Sequence, residues 1–300
     1  MKHGIINVYK EKGFTSHDVV AKLRGICKQK KIGHTGTLDP DAVGVLPVCL
    51  GSATKLCDML TEKEKEYIAE FELGMVTDTQ DISGKVLTES KVEATEEQVR
   101  EVILSFVGDY DQTPPMYSAL KVNGKKLYEL AREGKEIERK SRPVRILEIE
   151  ILEEKMPKFC IRVRCSKGTY IRTLCHDIGQ KLGCGAVMTS LKRTQSGRFG
   201  IDRAYPLSEI QKMADEGRLD ELVIPVEEMF THLNAVVAGE NAQKALANGN
   251  QLKREEYKTE KELTNEEQVR LYSAEGKFHG VYRYDKKRKL LCPVQLFFEQ

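Results

Sequence analysis

Strict alternation of apolar and polar side chains marks two strands along this chain. Over residues 67–73, Tyr67, Ala69, Phe71 and Leu73 share one face and Ile68, Glu70 and Glu72 the other. Over residues 159–165, Phe159, Ile161 and Val163 point inward while Arg162 and Arg164 point outward. Helical spacing appears three times. A helix opening at Ser16 carries Val19, Val20, Leu23 and Ile26 on one stripe. Thr95 and Gln98 make a capping box ahead of Val99, Val102, Ile103 and Phe106, with Gly108 just beyond. Residues 170–182 place Ile171, Leu174, Cys175, Ile178 and Leu182 on one side and stop at Gly183, with Arg172 near the start and outside that stripe.

After residue 230 the pattern shortens. A helix over 241–248 closed by Gly249 is followed by strand-like runs at 269–272, 276–282 and 290–294, with a basic run at 283–289. Strands with helices inserted between them, without regular βαβ alternation, predict an α+β fold with a mixed, largely antiparallel sheet flanked by helices. We read residues 1–230 as the main domain and 231–300 as a small β-rich module. A core that small is marginal alone and is expected to dock on the main domain.

Composition narrows the class. No run of 18 apolar residues exists, and the N-terminus reads as a strand rather than a signal peptide, so a cytoplasmic protein with no membrane segment is expected. Eight cysteines at 27, 49, 57, 160, 165, 175, 184 and 292 contain no C-x-x-C pair, which argues for reduced thiols and against a metal site. The net charge of +2 conceals strong segregation. Residues 21–34 hold five basic side chains and no acid, 121–145 carry a net +5, 158–203 a net +8, and 58–101 a net −8. A surface polarised in this way is the footprint of a polyanion binder, so a nucleic-acid partner is expected.

The candidate chemistry lies in the run Gly33-His34-Thr35-Gly36-Thr37-Leu38-Asp39-Pro40, which puts one carboxylate in a Gly-rich turn. A nucleophilic or basic carboxylate needs a stiff loop, and Pro40 restricts Asp39 to extended conformations. Taken alone, the run also fits a capped loop in which Asp39 bonds nearby amides. Likewise Tyr67 alone reads as core, and Arg172 as a phosphate contact or plain surface charge.

Read together, the motifs resemble one family. In order along the chain come the Asp39 run, Lys65-Glu66-Tyr67, Thr77-Asp78-Thr79-Gln80-Asp81 and Pro114-Pro115-Met116-Tyr117-Ser118-Ala119-Leu120-Lys121. Cys165-Ser166-Lys167-Gly168-Thr169-Tyr170-Ile171-Arg172-Thr173-Leu174, Gly183-Cys184-Gly185-Ala186 and Leu191-Lys192-Arg193-Thr194 follow. Over residues 3–230 the chain resembles the bacterial TruB family of tRNA pseudouridine synthases, and the tail is similar to the PUA RNA-binding module.

The resemblance implies isomerisation of the T-loop uridine of tRNA, uridine-55, with no metal or cofactor; because RNA supplies the partner surface, no stable protein partner is expected. It implies Asp39 as the catalytic carboxylate, Tyr67 as the ring that stacks on the target base and a base for proton removal, and Arg172 as the partner of the aspartate. It also implies His34 close to the flipped nucleotide and Leu191 lining the pocket. Tyr117 and Lys121 are expected in a supporting shell, and Lys167, Lys192 and Arg193 are expected to contact phosphates. One departure is visible: Glu11 stands where the family usually has proline, touching binding more than chemistry.

The chemistry agrees with the missing nucleotide-binding loops, because isomerisation oxidises nothing. One carboxylate can act by attacking C6 of the base, by attacking C1′, or by removing a ribose proton. A methyltransferase would want a Gly-rich cofactor loop after a strand and a deaminase the H-x-E and P-C-x-x-C signatures, and neither occurs. An RNA-folding chaperone with dispensable catalysis is the competing reading.

Overall fold

A computed structural model of the chain describes residues 1–118, 120–122 and 124–297, with the side chain of Lys121 outside the description. Strand β1 (Gly4–Lys10) leads into helix α1 (Ser16–Ile26). Thr15 caps this helix, its hydroxyl accepting from the Asp18 amide at 3.0 Å while the Asp18 carboxylate accepts from the Thr15 amide at 2.8 Å. Next come β2 (Ile32–His34), β3 (Val43–Leu50), the short α2 (Cys57–Thr61) and β4 (Lys65–Leu73). A hairpin of β5 (Met75–Thr77) and β6 (Val86–Glu89) precedes α3 (Glu96–Leu104) and β7 (Gly108–Gln112). Two-residue strands β8 (Lys121–Val122) and β9 (Lys125–Lys126) and helix α4 (Leu127–Arg132) lead to β10 (Arg142–Lys155) and β11 (Lys158–Cys165). Then follow α5 (Ile171–Lys181), β12 (Ala186–Ser196), β13 (Phe199–Gly200) and α6 (Leu207–Asp215).

One sheet organises the main domain in the order β1-β3-β12-β4-β11-β10-β7, with β2 added to β3 and β13 to β12. Its pairings are antiparallel except β12 on β3, as the α+β reading expects. Tyr67, Ala69 and Phe71 of β4 stand opposite Val163, Ile161 and Phe159 of β11, and opposite Arg193, Leu191 and Met188 of β12. Their shared face is covered by Ile171, Leu174 and Ile178 of α5 and by Val99 and Ile103 of α3. Each such fully buried side chain contributes roughly 1.5–3 kcal/mol. Further along the sheet, α1 and α6 cover Ile6, Val8, Leu46 and Val48. On the opposite face, Lys158 pairs with Glu72 at 3.7 Å and Arg164 with Glu148 at 3.6 Å, a solvated charge ladder.

The C-terminal part has its own sheet of β14 (Asn234–Ala238), β15 (Leu252–Lys253), β16 (Tyr257–Lys258), β17 (Gln268–Tyr272), β18 (Phe278–Asp285) and β19 (Leu290–Leu296). The helix expected over 241–248 is shorter: a 3₁₀ turn at Glu240–Ala242 precedes α7 (Gln243–Ala247). The unit docks through Phe278 and Phe297 on Phe230, with ring centroids 6.1 and 5.6 Å away, and through Lys55 Nζ donating to the Leu296 carbonyl at 2.6 Å. Among the described residues no helix is long and apolar enough to cross a membrane, and no group of metal-ligating side chains occurs. All eight thiols are free.

Candidate active site

Asp39 sits on the loop between β2 and β3, and three separate anchors stiffen that loop. Ser16 of α1 takes both backbone groups of Leu38: the Leu38 amide donates to Ser16 Oγ at 2.9 Å, and Ser16 Oγ donates to the Leu38 carbonyl at 3.3 Å. Leu38 and Ala42, on either side of Asp39, are buried in the α5-side core. Beneath Pro40 lies Lys10, which is completely buried. Its Nζ donates to the carbonyls of Glu11, Phe14 and Pro40 at 3.1, 2.6 and 3.0 Å, and the Gly13 amide also donates to Pro40 at 2.9 Å. Burial pushes the Lys10 ammonium down to about 8.

The Asp39 side chain remains 42% exposed, whereas its partner Arg172, in the first turn of α5, is only 7% exposed. Arg172 Nη2 lies 3.1 Å from Asp39 Oδ2 and 3.4 Å from Oδ1, and donates to the Tyr117 carbonyl at 2.7 Å. The other arm, Nη1, faces Asp81 Oδ2 at 3.5 Å. The guanidinium therefore divides its fork between two carboxylates rather than gripping one. Removal from water pushes the Asp39 carboxyl above its usual range, and Arg172 is the main group pulling it back.

Asp81 was carried by the Thr77–Asp81 motif but had no role assigned from sequence. Its Oδ1 accepts from Thr79 Oγ1 at 2.8 Å and the Ser83 amide at 3.0 Å, and its carbonyl accepts from Thr77 Oγ1 at 2.7 Å. Gln80, at φ 64°, fastens the turn to α5 by accepting from Thr173 Oγ1 at 2.7 Å. Lys10 was also missed. Its signal was a lysine at the buried end of a strand, directly before the Glu11 turn.

Tyr67 projects from β4 on the same face and is 9% exposed. Burial raises its phenol above the ordinary value, against the downward pull of the neighbouring Arg193 guanidinium. The hydroxyl is thus neutral at pH 7 and offers a ring and a donor rather than an anion. Leu191 is half-buried one register step away, opposite Ala69. His34 ends β2; its Nδ1 accepts from the Gly36 amide at 3.3 Å, which leaves the proton on Nε2. Burial first, then His17 and Arg193, push His34 down to about 4. The His17 ring meets it edge-on at 5.5 Å.

The expected phosphate contacts are placed less uniformly. Arg193 is corrected: it is 1% exposed, and its guanidinium donates to the carbonyls of Val45 at 2.7 Å and Gly36 at 3.2 Å. It is a strut tying β12 to the Asp39 loop, out of reach of a phosphate. Gly44 makes the close approach of β3 to β12 possible, since a Cβ there would lie 2.2 Å from the Arg193 carbonyl oxygen. Lys192 is exposed but opposite Ile68, so the strand's period of two turns it to the face away from Tyr67 and Leu191. Lys167 is exposed and ion-paired with Glu62. Tyr117 meets Arg172 through its backbone, and the Lys121 side chain lies outside the described residues.

The structure thus brings Asp39, Arg172, Tyr67, His34 and Leu191 to one side of the sheet: an exposed carboxylate held by a buried guanidinium, beside a neutral phenol. Comparisons with known proteins agree with this arrangement. Residues 24–171 match the N-terminal domain of the TruB family pseudouridylate synthases, and residues 172–231 match the tRNA pseudouridylate synthase B C-terminal domain. The chain is 53% identical over 305 residues to tRNA pseudouridine synthase B of Lachnoclostridium phytofermentans, covering 98% of this chain and 99% of that one. It is 46% identical to the protein of the same name from Clostridium acetobutylicum, over 93% of this chain and 94% of that one. Among solved structures, a chain of a Cbf5–Nop10–Gar1 complex superposes with a TM-score of 0.70 at 28% identity, covering 99% of this chain and 85% of that one. A chain of an H/ACA ribonucleoprotein bound to a substrate RNA containing 2′-deoxyuridine gives a TM-score of 0.70 at 25% identity, covering 99% and 86%. On the strength of both the site and these matches, the chain belongs to the TruB family of pseudouridylate synthases.

Proposed function

We propose that this pseudouridine synthase isomerises the T-loop uridine of tRNA, uridine-55, in the cytoplasm, with Asp39 as the catalytic carboxylate. The supporting observation is the asymmetry of the Asp39–Arg172 pair: the cation is buried and fixed, the anion open to substrate. A guanidinium stays protonated in a dry site, so Arg172 keeps Asp39 ionised against the cost of leaving water. The ionised form begins each of the three available routes, attack at C6, attack at C1′ or removal of a ribose proton.

The reaction breaks the N1–C1′ bond, turns the uracil and joins C5 to C1′. The C5 proton is lost and N1 gains one, so no oxidant or reductant is consumed. The target must first leave its stack, at a cost of a few kcal/mol. Stacking on Tyr67 returns roughly 1–3 kcal/mol, and Leu191 extends the apolar wall. His34, neutral with its proton on Nε2, is a hydrogen-bond donor beside the turned-out nucleotide. The tRNA is the only partner the reaction requires.

The test is tritium release from tRNA labelled at C5 of uridine, with a chelator present, for wild type and Asp39→Asn. Release by wild type alone, mapped to uridine-55, supports the assignment. Equal release by both sinks Asp39 as the carboxylate. No release by either, with tRNA binding intact, favours an RNA-folding chaperone.

A further inference from the structure

Helix α5 starts without the usual side-chain cap. Its N-cap residue, Tyr170, has extended dihedrals (φ −94°, ψ 107°) and makes no side-chain cap bond. Ser, Thr, Asp or Asn normally fills that role and fixes the first turn. Here the first turn carries Arg172, so whatever fixes it also fixes the guanidinium. The group that does so comes from another element. Gln112, the last residue of β7, is 1% exposed and spans the Tyr170 backbone with both ends of its amide. Gln112 Nε2 donates to the Tyr170 carbonyl at 2.9 Å, and the Tyr170 amide donates to Gln112 Oε1 at 2.7 Å. The same carbonyl accepts the first helical bond, from the Leu174 amide at 3.1 Å.

The clamp controls a second side of the guanidinium. The chain leaving Gln112 runs through Pro114 and Pro115 to Tyr117, whose carbonyl accepts from Arg172 Nη2 at 2.7 Å. Gln112 is thus the joint from which the helix start and the Tyr117 segment both depart, and Arg172 Nη2 sits between them, 3.1 Å from Asp39.

We propose that Gln112 is a positioning residue for the isomerisation, holding Arg172 against Asp39 by clamping the Tyr170 backbone. This rests on the reading of Asp39 as the catalytic carboxylate. Without the clamp, the first turn of α5 relaxes, Nη2 draws away from Asp39, and the carboxyl becomes harder to ionise. The charged groups acting on Asp39 are Arg172, Asp81, Lys10 and Asp41, and the phenols of Tyr67 and Tyr170 couple to it. Of these, Arg172 supplies the largest downward pull, so displacing it moves the acid limb of the rate profile to higher pH.

The experiment measures single-turnover rate at saturating tRNA across pH, with the melting temperature, for wild type, Gln112→Asn, Gln112→Met and Asp39→Asn. Gln112→Met keeps the volume and removes both bonds; Gln112→Asn keeps an amide that is one methylene short. The rate is expected to fall in the order Gln, Asn, Met, by about tenfold to a hundredfold at the end of the series. The acid limb should climb in the same order while tRNA affinity stays within about threefold. If Gln112→Met does not fold, Gln112→Asn carries the test through the same two readouts. An unmoved acid limb overturns the proposal, including where rate and melting temperature fall together. An active Asp39→Asn overturns the reading beneath it, whatever the Gln112 variants do.

Discussion

Replacing Lys10 with methionine gives a prediction whose size changes with pH. The ammonium is completely buried and its pKa falls from 10.5 to about 8, so at pH 7 the charged form is disfavoured in the fold by about 3 kcal/mol. It is held there by three carbonyls, each bond contributing about 1 kcal/mol net. At pH 7 Lys10→Met removes the burial penalty and the bonds together, so the two effects nearly cancel and stability stays within about 2 kcal/mol of wild type. Between pH 8 and 10.5 the native state gives up the proton while the unfolded chain keeps it, so wild type gains stability as pH rises and the variant lacks that gain. By pH 10 Lys10→Met should therefore be less stable than wild type by about 2–3 kcal/mol. Urea unfolding followed by circular dichroism at pH 7, 8.5 and 10 reads the difference. Because the Pro40 carbonyl loses one anchor, the single-turnover rate at pH 7 should also fall about tenfold, with stability little changed. A stability difference that is constant with pH would refute the argument, and so would a large loss at pH 7 that disappears at pH 10.

Two further outcomes follow from side-chain placement. Arg193→Met leaves the buried Val45 and Gly36 carbonyls without their donor and should cost about 2–4 kcal/mol in urea unfolding, whereas Lys192→Glu, one residue away on the solvated face, should leave stability unchanged. The Lys192 change should also leave the salt slope of tRNA binding unaltered, where loss of a phosphate contact would reduce it by about one. With its pKa pushed down to about 4, the His34 imidazole should show no titration between pH 5.5 and 8 by NMR, and an inflection near the ordinary imidazole value would contradict the burial argument.

The strands at 67–73 and 159–165 were legible because one face meets helices and the other meets water, so the burial contrast is written directly into the sequence. The same rule, applied to 191–194, separates Leu191 and Arg193 from Lys192, yet charge alone had grouped Lys192 with Arg193. Composition counts charges without regard to face, and a fully buried arginine satisfied by two carbonyls looks identical in a count to one awaiting a phosphate. Asp81 was hidden for a different reason. Its approach to Arg172 depends on Gln80 adopting φ 64° and on Thr173 fastening the turn from 93 residues away. No local periodicity encodes such a tertiary contact. Lys10 escaped because lysine is rarely fully buried, and only three converging carbonyls make that position tolerable.

The placement of the cations also bears on how an exposed carboxylate can lie in a site that takes a polyanionic substrate. Arg172, Arg193 and Lys10 are all buried, and all lie around or beneath the Asp39 loop. Charges inside a protein are screened far less by salt than those in water, so this group projects a field that exposed residues do not. Lys167, by contrast, spends much of its charge on Glu62. Asp39, Asp41 and Asp81 lie among these cations, so opposite charges are interleaved around the loop. Division of the Arg172 fork between Asp39 and Asp81 keeps either carboxylate from taking the whole of its charge. With Asp39 as its only partner, the guanidinium would pull the carboxyl further down and make it a weaker base. Asp81 takes part of that charge, and its own charge pushes the Asp39 carboxyl upward.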